Sequence, residues 1–179
     1  MYQLLFFGEY MKLVSKLLLA AMCAAAVVPA MAQEKRSSIS LSGTYSKTGS
    51  ADGNANVTGS YGFMYRPNIE LGLFDMLFAG SGFTQNSIGG QVQYYMNPVG
   101  KVGTWNPYGK VLLGSSMMSI DSGGKTNTST GFSLGGAVGA ANNLTESTEL
   151  FIEVGATSNS YSGTTETGTA ANIGLKIRF

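Results

Sequence analysis

Asn172-Ile173-Gly174-Leu175-Lys176-Ile177-Arg178-Phe179 closes the sequence, and its reading decides the fold. Ile173, Leu175, Ile177 and Phe179 are apolar, while Asn172, Gly174, Lys176 and Arg178 are polar or very small. Strict period-two alternation is the pattern of a strand with one apolar and one polar face. It runs through the last residue, where a soluble domain usually frays. A transmembrane β-barrel needs its final strand whole, because that strand pairs with the first and leaves no open edge in lipid.

The other end of the chain predicts export. Lys12 to Lys16 form a positive n-region, Leu17 to Pro29 an apolar h-region, and Ala30-Met31-Ala32 an A-x-A cleavage site. Residues 1–32 are therefore predicted to be a signal peptide cleaved after Ala32. Residues 1–10 carry Glu9 and none of the features of a leader, so Met11 is the expected translation start. The h-region is shorter than the ~20 residues of a spanning helix. Cys23 lies inside it, which leaves residues 33–179 without a cysteine or a disulfide framework. That segment is read as one domain. It carries nine basic residues and nine acidic ones, so it has no basic face for nucleic acid.

Turn signals divide residues 33–179 into runs of roughly ten residues, the length a tilted strand needs to cross a bilayer. Strands are predicted near 38–47, 56–66, 69–79, 86–97, 105–117, 129–141, 148–158 and 167–179. Bulky apolar residues fall on one face: Ile39, Leu41 and Tyr45, then Val57, Tyr61, Phe63 and Tyr65, then Phe132, Leu134 and Val138, then Leu150, Ile152 and Val154. Serine, threonine, glycine, alanine and a few charges occupy the other. Two strands are imperfect. Leu73 to Phe78 breaks alternation around Asp75, where a bulge is expected, and Leu112 sits between Val111 and Leu113.

Periodicity alone does not say which face points outward; a soluble, lipocalin-type barrel would turn the apolar face in. Three features favour the opposite. Small residues suit the cramped interior of eight strands. Charges lie within strands on that same face. Aromatics gather at strand ends, with Tyr65, Tyr94 and Trp105 toward one rim and Tyr45 and Phe132 toward the other, and with Phe179 these form an expected girdle. The fold class predicted is all-β: an eight-stranded antiparallel up-and-down transmembrane barrel. Outward connections are expected at 48–55, 80–85, 118–128 and 159–166, and inward turns at 67–68, 98–104 and 142–147.

With these features the chain resembles the small outer-membrane β-barrel superfamily typified by OmpX, OmpW and the barrel of OmpA. The resemblance implies a C-terminal signal read by the barrel-assembly machinery, and the matching positions here are Asn172, Gly174, Ile177 and Phe179. It implies the outer membrane of a Gram-negative bacterium, with lipid and lipopolysaccharide as surroundings and a monomer as the expected state. It also implies adhesion or serum resistance as the type of surface role. The chain lacks histidine entirely, which removes Ser-His-Asp catalysis and histidine metal sites. The outer-membrane phospholipases, lipid A deacylases and omptin-type proteases use a catalytic histidine, so the chain departs from them. No enzyme activity and no cofactor is expected.

Titratable residues predicted on the polar face are Arg66, Glu70, Lys110, Glu149, Glu153, Lys176 and Arg178. They are expected to form an ion-pair network filling the lumen, with Glu149 or Glu153 meeting Lys176 or Arg178, because an unpaired buried charge costs several kcal/mol. The competing reading makes Glu149 and Glu153 a carboxylate pair, or the set a proton or ion path. Asp52, Asp75 and Asp121 lack calcium-loop spacing and are read as solvated acids. The function expected is a filled, non-enzymatic barrel with a structural or surface-interaction role; the alternative is a small OmpW-like channel for small solutes.

Overall fold

The computed structural model describes residues 37–46, 54–80, 82–122, 125–161 and 164–179. Eight strands follow in chain order: β1 Ser37–Ser46, β2 Asn54–Arg66, β3 Ile69–Gly80, β4 Phe83–Tyr95, β5 Trp105–Ser122, β6 Lys125–Asn143, β7 Thr148–Tyr161 and β8 Thr164–Arg178. Each pairs antiparallel with its neighbour in sequence, and the sheet closes into a barrel. Closure runs from Ser38 opposite Arg178 to Gly43 opposite Ile173. The signal-peptide reading of residues 1–32 lies outside the described residues.

Alternation in the sequence becomes two surfaces. Outside, Leu73, Val92, Val111, Leu134, Val138, Val154, Ile173 and Leu175 all stand exposed. Inside, Ser38, Ser40, Ser42, Gln91, Gln93 and Ser133 are buried. A water-soluble barrel would leave that apolar belt in contact with solvent, far beyond the patch a soluble monomer exposes. In lipid the belt is solvated by acyl chains, and the ladders satisfy the backbone groups that hydrocarbon cannot. The lipocalin-type alternative is thereby excluded: the bulky face looks out.

Strand lengths differ from the sequence expectation at the end away from the chain termini, the hairpin end. β5 continues to Ser122 and β6 begins at Lys125, with Asp121 opposite Thr126. Residues 118–122 and 125–128 are therefore strand, not loop, and so are 159–161 and 164–166. These stretches are rich in glycine, serine, threonine and asparagine, the composition of a connection. Serine and threonine nevertheless extend a ladder readily once the hairpin below sets the register. The longer connection is on the terminal side, between Tyr95 and Trp105. There Gly103 takes φ 75°, a left-handed conformation, and donates its N–H to the Asn143 carbonyl at 2.9 Å.

The expected bulge at Asp75 is absent. β3 pairs without a break along β4 from Ile69–Tyr94 to Gly80–Phe83. Alternation is kept, with Phe74 buried in the lumen and Leu73 exposed outside. Asp75 falls on the outer face, opposite Ile88, where its Oδ1 accepts the Asn86 amide at 2.7 Å. The irregularity lies in β2, between Met64 and Arg66. Leu112 resolves in the same way: it is buried inside, between outward Val111 and Leu113.

Candidate functional site: the sealed lumen

Alternation on β3, β7 and β8 carries four charges into the terminal half of the lumen. Glu70, Glu149, Lys176 and Arg178 are all buried there. Lys176 Nζ lies 2.9 Å from Glu70 Oε1, and Arg178 Nη1 lies 3.1 Å from Glu70 Oε2. Arg178 Nη2 reaches Glu149 Oε2 at 2.8 Å, while Lys176 stands 3.8 Å from Glu149 Oε1. Two carboxylates thus face two cations, so the cluster is electrically balanced.

Tyr95 sits at the centre, fully buried. Its hydroxyl accepts from Lys176 Nζ and Arg178 Nη2, each at 2.8 Å, and donates to Glu149 Oε1 at 3.1 Å. Both cations also lie over its ring, at 5.4 and 5.5 Å from the centroid. Gln93 Oε1 takes a further Lys176 proton at 3.2 Å, and the Ser38 hydroxyl donates to Glu70 at 3.2 Å. Within this cluster one buried donor, Arg178 Nε, has no partner.

Gly62 makes the cluster possible. A Cβ at that position would collide with the Glu70 carboxylate and come within 2.8 Å of Ser38 Oγ. The missing side chain is the space that Glu70 occupies.

A second pair lies nearer the hairpin end. Lys110 Nζ bonds both oxygens of Glu153, at 2.8 and 2.7 Å. Tyr108 donates to Glu153 Oε2 at 2.8 Å, and Asn172 Nδ2 to Oε1 at 3.3 Å. The partner of Glu153 is therefore Lys110 on β5, so of the two carboxylates offered for Lys176 or Arg178 it is Glu149 that meets them. Cross-strand neighbours in β7 and β8 supply only the Glu149 side of that expectation. Between the two charge groups lies a space of about 10 Å³, room for roughly one water.

Arg66 corrects the predicted network. It is exposed, outside the lumen, with its guanidinium 5.7 Å from the Tyr65 ring centroid. The β2 irregularity between Met64 and Arg66 breaks the parity that would have turned it inward.

Of the girdle residues, Tyr45, Tyr65, Tyr94, Trp105 and Phe132 all stand exposed on the outer surface. Phe179 follows the end of β8 and is half-buried. At the other positions of the C-terminal pattern, Asn172 and Gly174 point inward and Ile177 outward. The Thr44 hydroxyl donates to Asn172 Oδ1 at 2.7 Å and also to the Ala171 carbonyl. Gly174 lies against the Phe151 ring. Of the calcium candidates, Asp52 lies outside the described residues.

Sequence reasoning missed the lumen tyrosines. Tyr95, Tyr108 and Phe151 pack with Ala141 into the buried cluster at the terminal half, and the Tyr95 and Tyr108 rings are 5.6 Å apart. The signal was present as parity: Tyr95 shares the face of Gln91 and Gln93, and Tyr108 the face of Lys110.

Comparison with known proteins agrees with this geometry. The model of the family described as "Outer membrane protein beta-barrel domain" matches residues 17–179. Curated proteins give no match to the sequence. Among solved structures, Neisserial surface protein A is similar at a TM-score of 0.63 and 18% identity, over 80% of this chain and 95% of its own. The N-terminal β-barrel domain of Pseudomonas aeruginosa OprF follows at 0.60 and 17%, over 82% and 98%. Ail, the attachment invasion locus protein of Yersinia pestis, gives 0.50 and 16%, over 82% and 100%. With the family match spanning nearly the whole sequence and the closed eight-stranded sheet beneath it, this chain belongs to the outer-membrane β-barrel domain family.

Proposed function

We propose that the protein is a non-conducting, non-enzymatic outer-membrane barrel whose hairpin end meets the cell's surroundings. One observation carries the reading: Glu70, Tyr95, Glu149, Lys176 and Arg178 join side chains across the terminal half of the lumen. Eight strands enclose little more space than side chains fill, and this cluster fills the terminal half of it. The absence of histidine from the sequence supports a non-catalytic role.

In this reading the terminal end faces the periplasm and the β5–β6 hairpin faces outward. Residues 1–32 serve as a cleaved signal peptide. Asn172, Gly174, Ile177 and Phe179 are presented to the barrel-assembly machinery, and the apolar belt meets lipid and lipopolysaccharide as a monomer. Two similar structures are named for surface or attachment roles, which suggests surface interaction as the class of activity. The competing reading is a small channel of the OmpW type. It draws on the open space near the hairpin end, which continues toward the terminal end only as far as the Lys110–Glu153 pair.

Planar-bilayer recording separates the two. The refolded protein, showing heat-dependent gel mobility, should give no steady single-channel current. Sizeable steady currents would replace the sealed-barrel reading with transport.

A further inference from the structure

The hairpin half of the lumen is not filled. A cavity of about 230 Å³ lies there, above the Lys110–Glu153 pair. Its size falls between a ~150 Å³ cavity that accepts benzene and the ~300 Å³ lower bound for drug-sized pockets. It suits a molecule of about ten heavy atoms.

Its walls are chemically divided. Met76, Phe78, Phe83 and Leu112 line one part, with the Phe78 and Phe83 rings stacked at 5.5 Å. Asn159 lines another part and is only 3% exposed, yet its Oδ1 has no hydrogen-bond partner. An orphaned buried acceptor carries a free-energy cost that a bound donor would remove. Directly opposite Asn159 on β8 stands Glu166, a second acceptor on the same wall, with no ion-pair partner among the described residues. Lys110 and Glu153 neutralise each other at the floor. The unpaired Glu166 therefore leaves the lining with a net negative charge.

We propose that this cup binds a small apolar amine. Its ammonium group faces Glu166 and, with the Asn159 amide turned toward the cavity, donates to Asn159 Oδ1, and its aryl or alkyl body rests on Phe78, Phe83, Met76 and Leu112. The charge clusters below close the floor, so the ligand enters and leaves at the hairpin end. This goes beyond the sealed-barrel reading and does not depend on any surface partner.

The test is calorimetric titration of the full barrel in lipid nanodiscs with 2-phenylethylamine, against 3-phenylpropanoate as the acid of like size. Saturable one-to-one binding of the amine is expected, at least tenfold tighter than the acid. Gly168 supplies the blocking variant, because a Cβ there would meet nothing within 4 Å and so has room to extend into the cavity it lines. Gly168→Leu and Asn159→Leu should each weaken amine binding at least tenfold while keeping heat-dependent gel mobility. If Asn159→Leu does not fold, Glu166→Gln, at an exposed position, should weaken the amine about fivefold and leave the acid no weaker. Absence of saturable amine binding, equal binding of amine and acid, or wild-type affinity in Gly168→Leu would each overturn the proposal.

Discussion

Glu70 holds two cations with one carboxylate, and its loss would leave Lys176 and Arg178 facing only Glu149. Removing one partner of a buried ion cluster costs about 3–5 kcal/mol, because the remaining charge stays desolvated. Glu70→Ala should therefore lower the unfolding free energy in detergent by about that amount, measured by urea titration with heat-dependent mobility as readout. Lys110 and Glu153 offer the contrasting case. Glu153→Ala should destabilise clearly, whereas the double change Lys110→Met with Glu153→Leu should cost less than Glu153→Ala alone, since no charge is then stranded. Equal losses in both would show that this pair is not desolvated. At Gly62 the steric argument is direct: Gly62→Val drives its side chain into the Glu70 carboxylate. Overpacking of this kind costs about 1–3 kcal/mol, and the same urea titration would register it.

At the scale of strands, the outer face sets tolerance by depth. Val138 lies on the outer apolar face of β6, between Leu134 and the Trp105 rim, and is exposed to lipid, while Ser160 lies near the hairpin end of β7. Val138→Arg should cost about 2–4 kcal/mol and Ser160→Arg about 0–1; similar values would mean that the belt does not sit where the apolar residues place it. Much of this pattern was legible in the sequence. Alternation in β1, β2, β6, β7 and β8 assigned both faces, because one residue type fills each. It failed where the interior itself turns apolar. Phe74, Met76 and Phe78 point inward on β3, so apolar residues occupy both faces and the period-two signal is erased; Asp75 on the outside completed the inversion. Strand ends were hidden for a different reason. Toward the hairpin end glycine, serine, threonine and asparagine dominate both faces, so Ile120 alone in Ser119 to Thr130 hints at a projecting ladder rather than a loop. Arg66 was misplaced because an irregularity in register leaves no composition signal. The charges themselves were readable as a set, but their partners were not. Glu153 meets Lys110 across the barrel, from β7 to β5, and such a pairing depends on closure rather than on neighbouring sequence.

At the scale of the whole molecule, the lumen divides into a packed, charge-balanced terminal half and a hollow hairpin half. The packed half is held by side chains from β3, β4, β7 and β8, so it links the strands nearest the closure with those opposite. Closure itself rests on a short ladder, from Ser38–Arg178 to Gly43–Ile173. Lys176 and Arg178 belong to that ladder and to the ion cluster at once, so the seam is reinforced from within.

Ser38 lies opposite Arg178, and this adjacency makes the starting point of the polypeptide arbitrary. A circular permutant that joins Arg178 to Ser37 through a few added residues, and opens between Ser122 and Lys125, keeps every strand beside its original neighbours. It should refold to a heat-modifiable species of unchanged secondary-structure content by circular dichroism. Failure to do so would mean that the order in which the strands are laid down, rather than their final adjacency, governs assembly.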